Sequence, residues 1–389
     1  MEQEDIMEGM IRKKKQKQRS SEPEGGEQMN VVASDLLTKE EHDDVFLPGM
    51  LRSVGTHIKQ EALALYPKFF DLNDDQKSVV RHVYHSVLRD RLNSILNLTK
   101  PHPKGQAAFF SASRWKLLLQ KYPGHSAVGH DLDVPNDFEA TLDKIEEVSK
   151  SGNIIAALSR AKDAETGARR RDEKFALYLY IHALELLSDH SYLFDDRIDK
   201  SEDDFIVKCW GPVMEHLMAG SSIRCKWGDT ICSLHSDRFK IDLRVVKDVR
   251  SQEHDVARAE FAKKNASPQK LADDHAKVMV EAKQILDLIY TKYASSQIVR
   301  NAQIHGLTAH FYDLALEANG LYVATIAEGG PYRPGKKWRL DCDEVEADDG
   351  GSCAQNMLSA LQDFKDYKTV LCEALEKSGH SFELYPKLH

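Results

Sequence analysis

An α+β fold is predicted: a mostly helical region over residues 45–195, then a domain over 196–389 with a central mixed sheet flanked by helices. Three observations predict it. Apolar residues recur at three- and four-residue spacing as far as about residue 195. From residue 201 onward, strand-like runs bounded by turn residues take over. The elements after 201 fall in the order helix, three strands, helix, two strands, helix.

Residues 1–44 are expected to be a disordered tail. "RKKKQKQRSSEPEGGEQ" has no apolar periodicity and is rich in Glu, Gln, Ser and Gly. Within it "RKKKQKQR", Arg12 to Arg19, reads either as a nuclear-localisation signal or as a solvated charge run. The acidic opening "MEQEDIMEGM" lacks the basic-then-apolar order of a secretory signal, so an intracellular, nuclear chain is expected.

In the helical region "DDQKSVVRHVYHSVLRDRLNSILNL", "NDFEATLDKIEEVSKSGNIIAAL" and "RDEKFALYLYIHALELLSDH" carry amphipathic periodicity. "KPHPKGQ" and "YPGHSAVGHDLDVPND" break it. Trp115 and His182 read as packed core residues. No chemistry is visible here, and the region is a candidate surface for a protein partner.

"SEDDFIVKCWGPVMEHLMAG" opens on a capping-box pair, Ser201 and Asp204, and Pro212 should bend or split its helix. Three strands follow in "SSIRCKWGDTICSL", "RFKIDLRVV" and "HDVARAEFAKK". Ser267 and Pro268 make an N-cap and N1 pair for a long helix. "IVRNAQIHGLTAHFYDLALEANGLYVATIAE" reads as two strands about an Asn319-Gly320 turn, and a last helix is expected over 352–378.

The 389-residue chain is 41% hydrophobic and 30% charged, with a formal net charge of −9. That balance argues against nonspecific coating of nucleic acid but allows a local basic groove. Residues 223–270 hold eleven Lys/Arg against seven Asp/Glu. No apolar run reaches the roughly 18–20 residues that a membrane helix needs, so no membrane partner is expected. Six scattered cysteines without a C-x-x-C pair fit neither a disulfide framework nor a zinc site.

The chemistry concentrates in "KIDLRVV" (240–246) and "ARAEFAKK" (257–264), each with one acid among core-like residues. Strand alternation puts Lys240, Asp242 and Arg244 on one face, and Glu260 with Arg258, Ala262 and Lys264 on another. If the strands are neighbours, Asp242 and Glu260 meet on one polar face. Two carboxylates at short range repel unless a cation lies between them, and oxygen ligands suit Mg²⁺ or Mn²⁺. The plainer alternative pairs them with Arg244 and Arg258 as ordinary cross-strand salt bridges. Asp229 reads as a turn or strand end, and Asp273, Asp274 and Lys277 as the polar face of a helix.

On these residues the chain resembles the PD-(D/E)XK, or restriction-endonuclease-like, nuclease superfamily. That family's core is a helix, three antiparallel strands, a helix and a further strand. "SEDDF", "WGDT", "KIDLR", "AEFAK" and "DDHAKVMVEAKQILD" are also similar to its fungal members, the likeness covering about residues 200–330.

The resemblance implies an Mg²⁺- (or Mn²⁺-) dependent phosphodiesterase acting on nucleic acid, DNA before RNA. Asp242 and Glu260 would ligate metal, Glu215 would support a ligand or water, and Lys263 would orient the nucleophile. Arg224, Lys226, Arg244, Arg258 and Lys277 would position the phosphate backbone. Lys263 stands one residue beyond the acid-x-Lys spacing and would face away from Glu260, whereas Lys264 would face the same way. A bulge must turn Lys263 round, or Lys240, Lys277 or Lys283 must supply the amine.

Two further readings stand beside this one: a catalytically silent nuclease-fold module that binds nucleic acid or protein, and a helical scaffold with no pairing between 240–246 and 257–263. "GPYRPGKK", Gly330 to Lys337, nearly fits a phosphate loop. It lacks the terminal hydroxyl residue and a following helix, which excludes nucleotide hydrolysis.

Overall fold

Residues 45–65, 71–73, 76–77, 94–100, 105–123, 136–219, 222–231, 240–249, 251–293, 298–318, 320–326 and 338–339 are described by the computed structural model of the protein. Arg12–Arg19, Gly330–Lys337 and the helix expected over 352–378 lie outside the described residues.

The first half supplies α1 (Val54–Leu65), a short strand β1 (Ile95–Asn97), α2 (Ala112–Lys121), α3 (Asn136–Lys150), α4 (Ile154–Gly167) and α5 (Arg171–Asp189). Side chains cap the helices where sequence puts polar residues. Ser111 accepts from the Arg114 N–H at the start of α2, and Asn153 from the Ala156 N–H at the start of α4. Trp115 is buried, and the His182 ring lies 3.1 Å from the Cys209 carbonyl oxygen, a packed role for both. One expectation changes: "SILNL" does not continue a helix, because residues 95–97 are drawn into a sheet.

The capping box at Ser201 and Asp204 starts α6 (Glu202–Phe205), with the Asp204 N–H 3.1 Å from Ser201 Oγ. The missing N–H of Pro212 is accommodated by a π-helical turn, Ile206–Trp210, ahead of α7 (Gly211–Met218). The Gly211 N–H donates to the Ile206 carbonyl, and a Cβ at 211 would stand 2.7 Å from that oxygen.

Then come β2 (Ile223–Thr230), β3 (Ile241–Val249), β4 (Gln252–Ala262), the 26-residue α8 (Pro268–Tyr293), β5 (Ile298–His305), β6 (Thr308–Ala318), β7 (Leu321–Ile326) and β8 (Trp338–Arg339). The sheet runs β1-β7-β6-β5-β4-β3-β2, with β8 taking up β6 beyond the end of β7. It is mixed. β4 and β5 are parallel, joined through α8, and β1 is parallel to β7; the other pairs are antiparallel. Helices plus this sheet make an α+β fold.

The pairing of β3 with β4 removes the all-helical scaffold. The segment from 298 holds three strands rather than two, because a two-residue turn at Gly306 and Leu307 folds β5 onto β6, His305 opposite Thr308. Gly306 has φ of +56°, and a Cβ there would lie 2.7 Å from Lys264 Cβ and 2.9 Å from Lys264 Cα. Gly306→Ala is therefore expected to lose about 2 kcal/mol or more of stability in urea denaturation. A loss within about 0.5 kcal/mol of zero contradicts the tight approach.

Hydrophobic packing crosses residue 195 without a break. One core joins Ile145, Ala161 and Leu184 to Val245, Phe261, Ile285 and Leu314; a second gathers α1, α2 and β1 against Leu321 and Val323 of β7. The regions 45–195 and 196–389 thus share cores, and both fall in the unit Glu40–His389. Among the described residues no helix is long and apolar enough to cross a membrane.

Candidate functional site

The register of β2, β3 and β4 decides which side chains meet. Trp227 stands opposite Leu243, and Leu243 opposite Ala259. By strand alternation these three share one face with Phe261, while Asp242, Arg244, Arg258 and Glu260 share the other. α7 packs on the first face, where Glu215 Oε1 accepts from Trp227 Nε1 at 2.6 Å. α8 packs on the second.

On that second face Asp242, at the start of β3, precedes the Leu243–Ala259 pair and Glu260 follows it, so the two acids lie side by side. Asp242 Oδ2 accepts from the Phe261 N–H at 2.9 Å, which fixes its direction. Glu260 is 2% exposed and meets Lys277 Nζ of α8 at 2.6 Å. Lys277 also donates to the Lys240 carbonyl. Helical spacing carries Asp274, Lys277 and Glu281 down one stripe of α8. Glu281 is fully buried, its carboxylate reaching Lys277 Nζ at 3.9 Å and neither oxygen accepting a hydrogen bond. Asp274 pairs with Lys270 at 2.7 Å, and its second oxygen is likewise unsatisfied.

The Lys277 ammonium thus pairs with two buried carboxylates, Glu260 and Glu281, and also feels the charge of a third, Asp242. Burial first, then the charges of Glu281 and Asp242, push the Glu260 carboxyl well above the usual range, with Lys277 pulling it back only in part. Burial likewise raises Glu281 to about 7, against the pull of Arg258 and Lys277. Burial opposes the charge on Lys277, but Glu260 and Glu281 outweigh it and hold the amine above the ordinary lysine value. Buried acids with displaced proton affinities beside a fixed amine occur in functional sites and in structural ion-pair networks alike.

A second network adjoins the first. A bulge at Val256, set by Val245 opposite Ala257 and Val246 opposite Asp255, turns Asp255 onto the face of Arg244 and Arg258. Arg244 Nε lies 2.9 and 3.2 Å from the two Asp255 oxygens, and Arg258 Nε lies 2.6 Å from Oδ2. Both arginines are 1% exposed. Arg244 also reaches Glu253 at 2.7 Å, and Glu253 in turn holds Arg224 at 2.8 Å and Lys226 at 3.1 Å.

Against the sequence reading, the structure brings together Asp242, Glu260 and Lys277 and leaves out the rest. Glu215 lies on the opposite face of the sheet, exposed and bonded to Trp227. Lys263 follows the last residue of β4, is exposed, and lies 3.9 Å from Asp199. No bulge turns it inward; the bulges fall at Val256 and at Gly228–Asp229. Lys264 pairs with Asp196 at 2.6 Å, and Lys283 with Asp287. Of the residues expected to hold a phosphate backbone, Arg244 and Arg258 are buried on Asp255. Arg224, Lys226 and Lys277 already pair with acids. The alternative that paired Asp242 and Glu260 with the two arginines fails for the same reason: both arginines turn to Asp255.

Asp255 and Glu281 escaped the sequence reading, and Asp274, read there as the polar face of a helix, is buried. The signal for Glu281 was present: it interrupts the otherwise apolar run Val278, Met279, Val280, Ala282, all buried. Among the described residues no group of three or more His, Cys, Asp or Glu side chains is placed to hold a metal ion. No family model matches the chain, and no curated protein or solved structure matches it.

Proposed function

We propose that the protein is a nuclease-like phosphodiesterase acting on nucleic acid, DNA in the first place, with Lys277 rather than Lys263 as the amine of its site. One observation carries the reading. Two acids on adjacent strands, Asp242 and Glu260, face an amine from the following helix, Lys277 Nζ, at 2.6 Å. The order around them supports it: a helix, three antiparallel strands, a helix, then a strand parallel to the third.

Carboxylate oxygen is the donor type that a hard cation takes, although among the described residues no three such groups are placed together to hold one. Every acid here offers carboxylate oxygen, and those of Glu281 and one of Asp274 have no hydrogen bond. Asp242 and Glu260 would hold Mg²⁺ (or Mn²⁺), which when bound stabilises charge developing on a phosphate. Lys277 orients the attacking water by donating to it, and in-line attack leaves 5′-phosphate and 3′-hydroxyl ends. A nuclear location belongs to the same proposal and stands on Arg12–Arg19 alone.

A second reading has its own support. Lys277 already neutralises Glu260, as it would in a catalytically silent nuclease fold that binds nucleic acid or protein. Exposed apolar side chains of the helical region, Leu51 at 96% and Ile155 at 77%, would then serve a protein partner.

Mg²⁺ and Mn²⁺ titration calorimetry of wild type beside Asp242→Ala, with cleavage of single- and double-stranded DNA, separates the two. Binding and cleavage that both vanish in the variant are expected. Absence of metal binding and of cleavage in the wild type leaves only the binding module.

A further inference from the structure

We propose that Asn301 is a positioning residue: its side chain ties the strand that carries Glu260 to the helix that carries Lys277, and so fixes how the acid and the amine meet. This deepens the nuclease reading and rests on it for what the pair does chemically.

Asn301 lies on β5 beneath α8 and has no exposed surface. Its amide bonds to two main chains, one on each side. Oδ1 accepts from the Arg258 N–H of β4 at 2.9 Å, and Nδ2 donates to the Val278 carbonyl of α8 at 3.1 Å. Turned over, the same amide would set its N–H₂ against an N–H and its oxygen against a carbonyl, so one orientation makes both bonds. The β4–β5 ladder runs from Ala259 opposite Ala302 to Ala262 opposite His305. Arg258 stands just before it, and the Asn301 side chain takes up its N–H there. The two tied residues flank the pair. Arg258 stands two before Glu260 on the strand, and Val278 directly follows Lys277 on the helix.

A directional tie matters because much of what holds α8 to the sheet is not directional. Val278, Met279, Ala282 and Ile285 are buried in the shared core, and apolar contacts resist separation more than sliding. A slide of about 1.5 Å, one residue's rise, would carry Lys277 past the point where it meets Glu260 and the Lys240 carbonyl together. Gln303 of β5 makes a similar tie, Nε2 to the Leu271 carbonyl at 2.6 Å, but six residues before Lys277. Arg258 reaches Gln284 of α8 at 3.2 Å, through a longer and more flexible side chain. Asn301 acts beside the amine itself.

The test is urea denaturation at pH 8 of the full chain as wild type, Lys277→Met, Asn301→Leu and the double variant. Lys277→Met should lower the folding constant about tenfold more in the wild-type background than beside Asn301→Leu, where the pair is already apart. The same factor in both backgrounds, to within about twofold, would make Asn301 structural only and overturn the proposal. Gln303→Leu is the control, and should leave the Lys277→Met factor within about twofold of its wild-type size. An equal loss there would mean that any loosening of α8 suffices, and overturns it too. Should Asn301→Leu not fold, Asn301→Ser replaces it, being too short to span from strand to helix. Should the double variant not fold, Glu260→Gln replaces Lys277→Met and probes the pair from the acid. On DNA with Mg²⁺, Asn301→Leu is expected to lower kcat about tenfold or more, with KM within about threefold. An unchanged kcat overturns the proposal. No cleavage by the wild type would sink the nuclease reading alone, and the coupling would still decide the place of Asn301.

Discussion

Asp255→Asn is expected to lower the unfolding free energy by about 3–5 kcal/mol, the range for removing one partner of a buried ion pair. Asp255 has no exposed side-chain surface and sits between two arginines that are 1% exposed. Burial alone would raise its carboxyl, but Arg258 and Arg244 outweigh burial and keep it below the ordinary carboxylate value. Asparagine keeps the shape, removes the charge and turns an N–H₂ toward guanidinium donors. Two buried cations are then left with Glu253 and Gln284 between them. Chemical denaturation of both proteins measures the loss, with Arg224→Ala as the comparison. That exposed pair should cost no more than about 1 kcal/mol. A loss below about 1 kcal/mol for Asp255→Asn would show that the network is solvated rather than sealed.

Lys277→Met should give the second large effect, and one that depends on pH. Without the ammonium, Glu260 stands buried beside Asp242 and Glu281. Ionised, such a group costs about 3–5 kcal/mol; protonated, far less. The sign follows from the direction of its shift. The folded-state carboxyl of Glu260 is already raised, and losing Lys277 raises it further. A raised carboxyl leaves stability intact below its unfolded value, about 4.3, and removes it as pH climbs through the folded value. The variant should thus nearly match wild type near pH 4.5 and fall behind it steadily toward pH 8. Thermal unfolding across that range reads the difference. Parallel profiles, or a deficit largest in acid, would mean that Lys277 is not the counter-ion of Glu260.

How much of this was legible depended on whether the information was local. That β2, β3 and β4 are strands follows from alternation, and the start of α8 from a capping residue and a proline at N1, all within a few positions. β1 does not, since "SILNL" sits at the end of a helical period and becomes a strand only because β7 lies beside it. β5 and β6 read as one strand because a single glycine makes the turn between them. In the site, alternation marked Asp242 and Glu260 as polar-face acids of their own strands, and the register of β3 on β4 puts them side by side. Asp255 was not legible, since a regular strand would turn it away from Arg258; the bulge at Val256 is a property of the pairing. Lys277 was one of several amines open to choice, and only the packing of α8 on β4 selects it.

The parallel pairing of β1 with β7 has a consequence for how the chain comes together. Residues 95–97 find partners at 322–324, roughly two hundred positions away, and parallel contacts of such long range form slowly. During synthesis the first of these segments leaves the ribosome long before the second exists. Leu96 must then wait uncovered or be shielded by α1 and α2, while Ile95 belongs to the other core. The same distance bears on where the chain can be cut. A fragment starting after residue 195 retains every acid and amine of the site yet leaves β7 with a bare edge and Leu321 and Val323 without their cover. Such an edge invites association between copies.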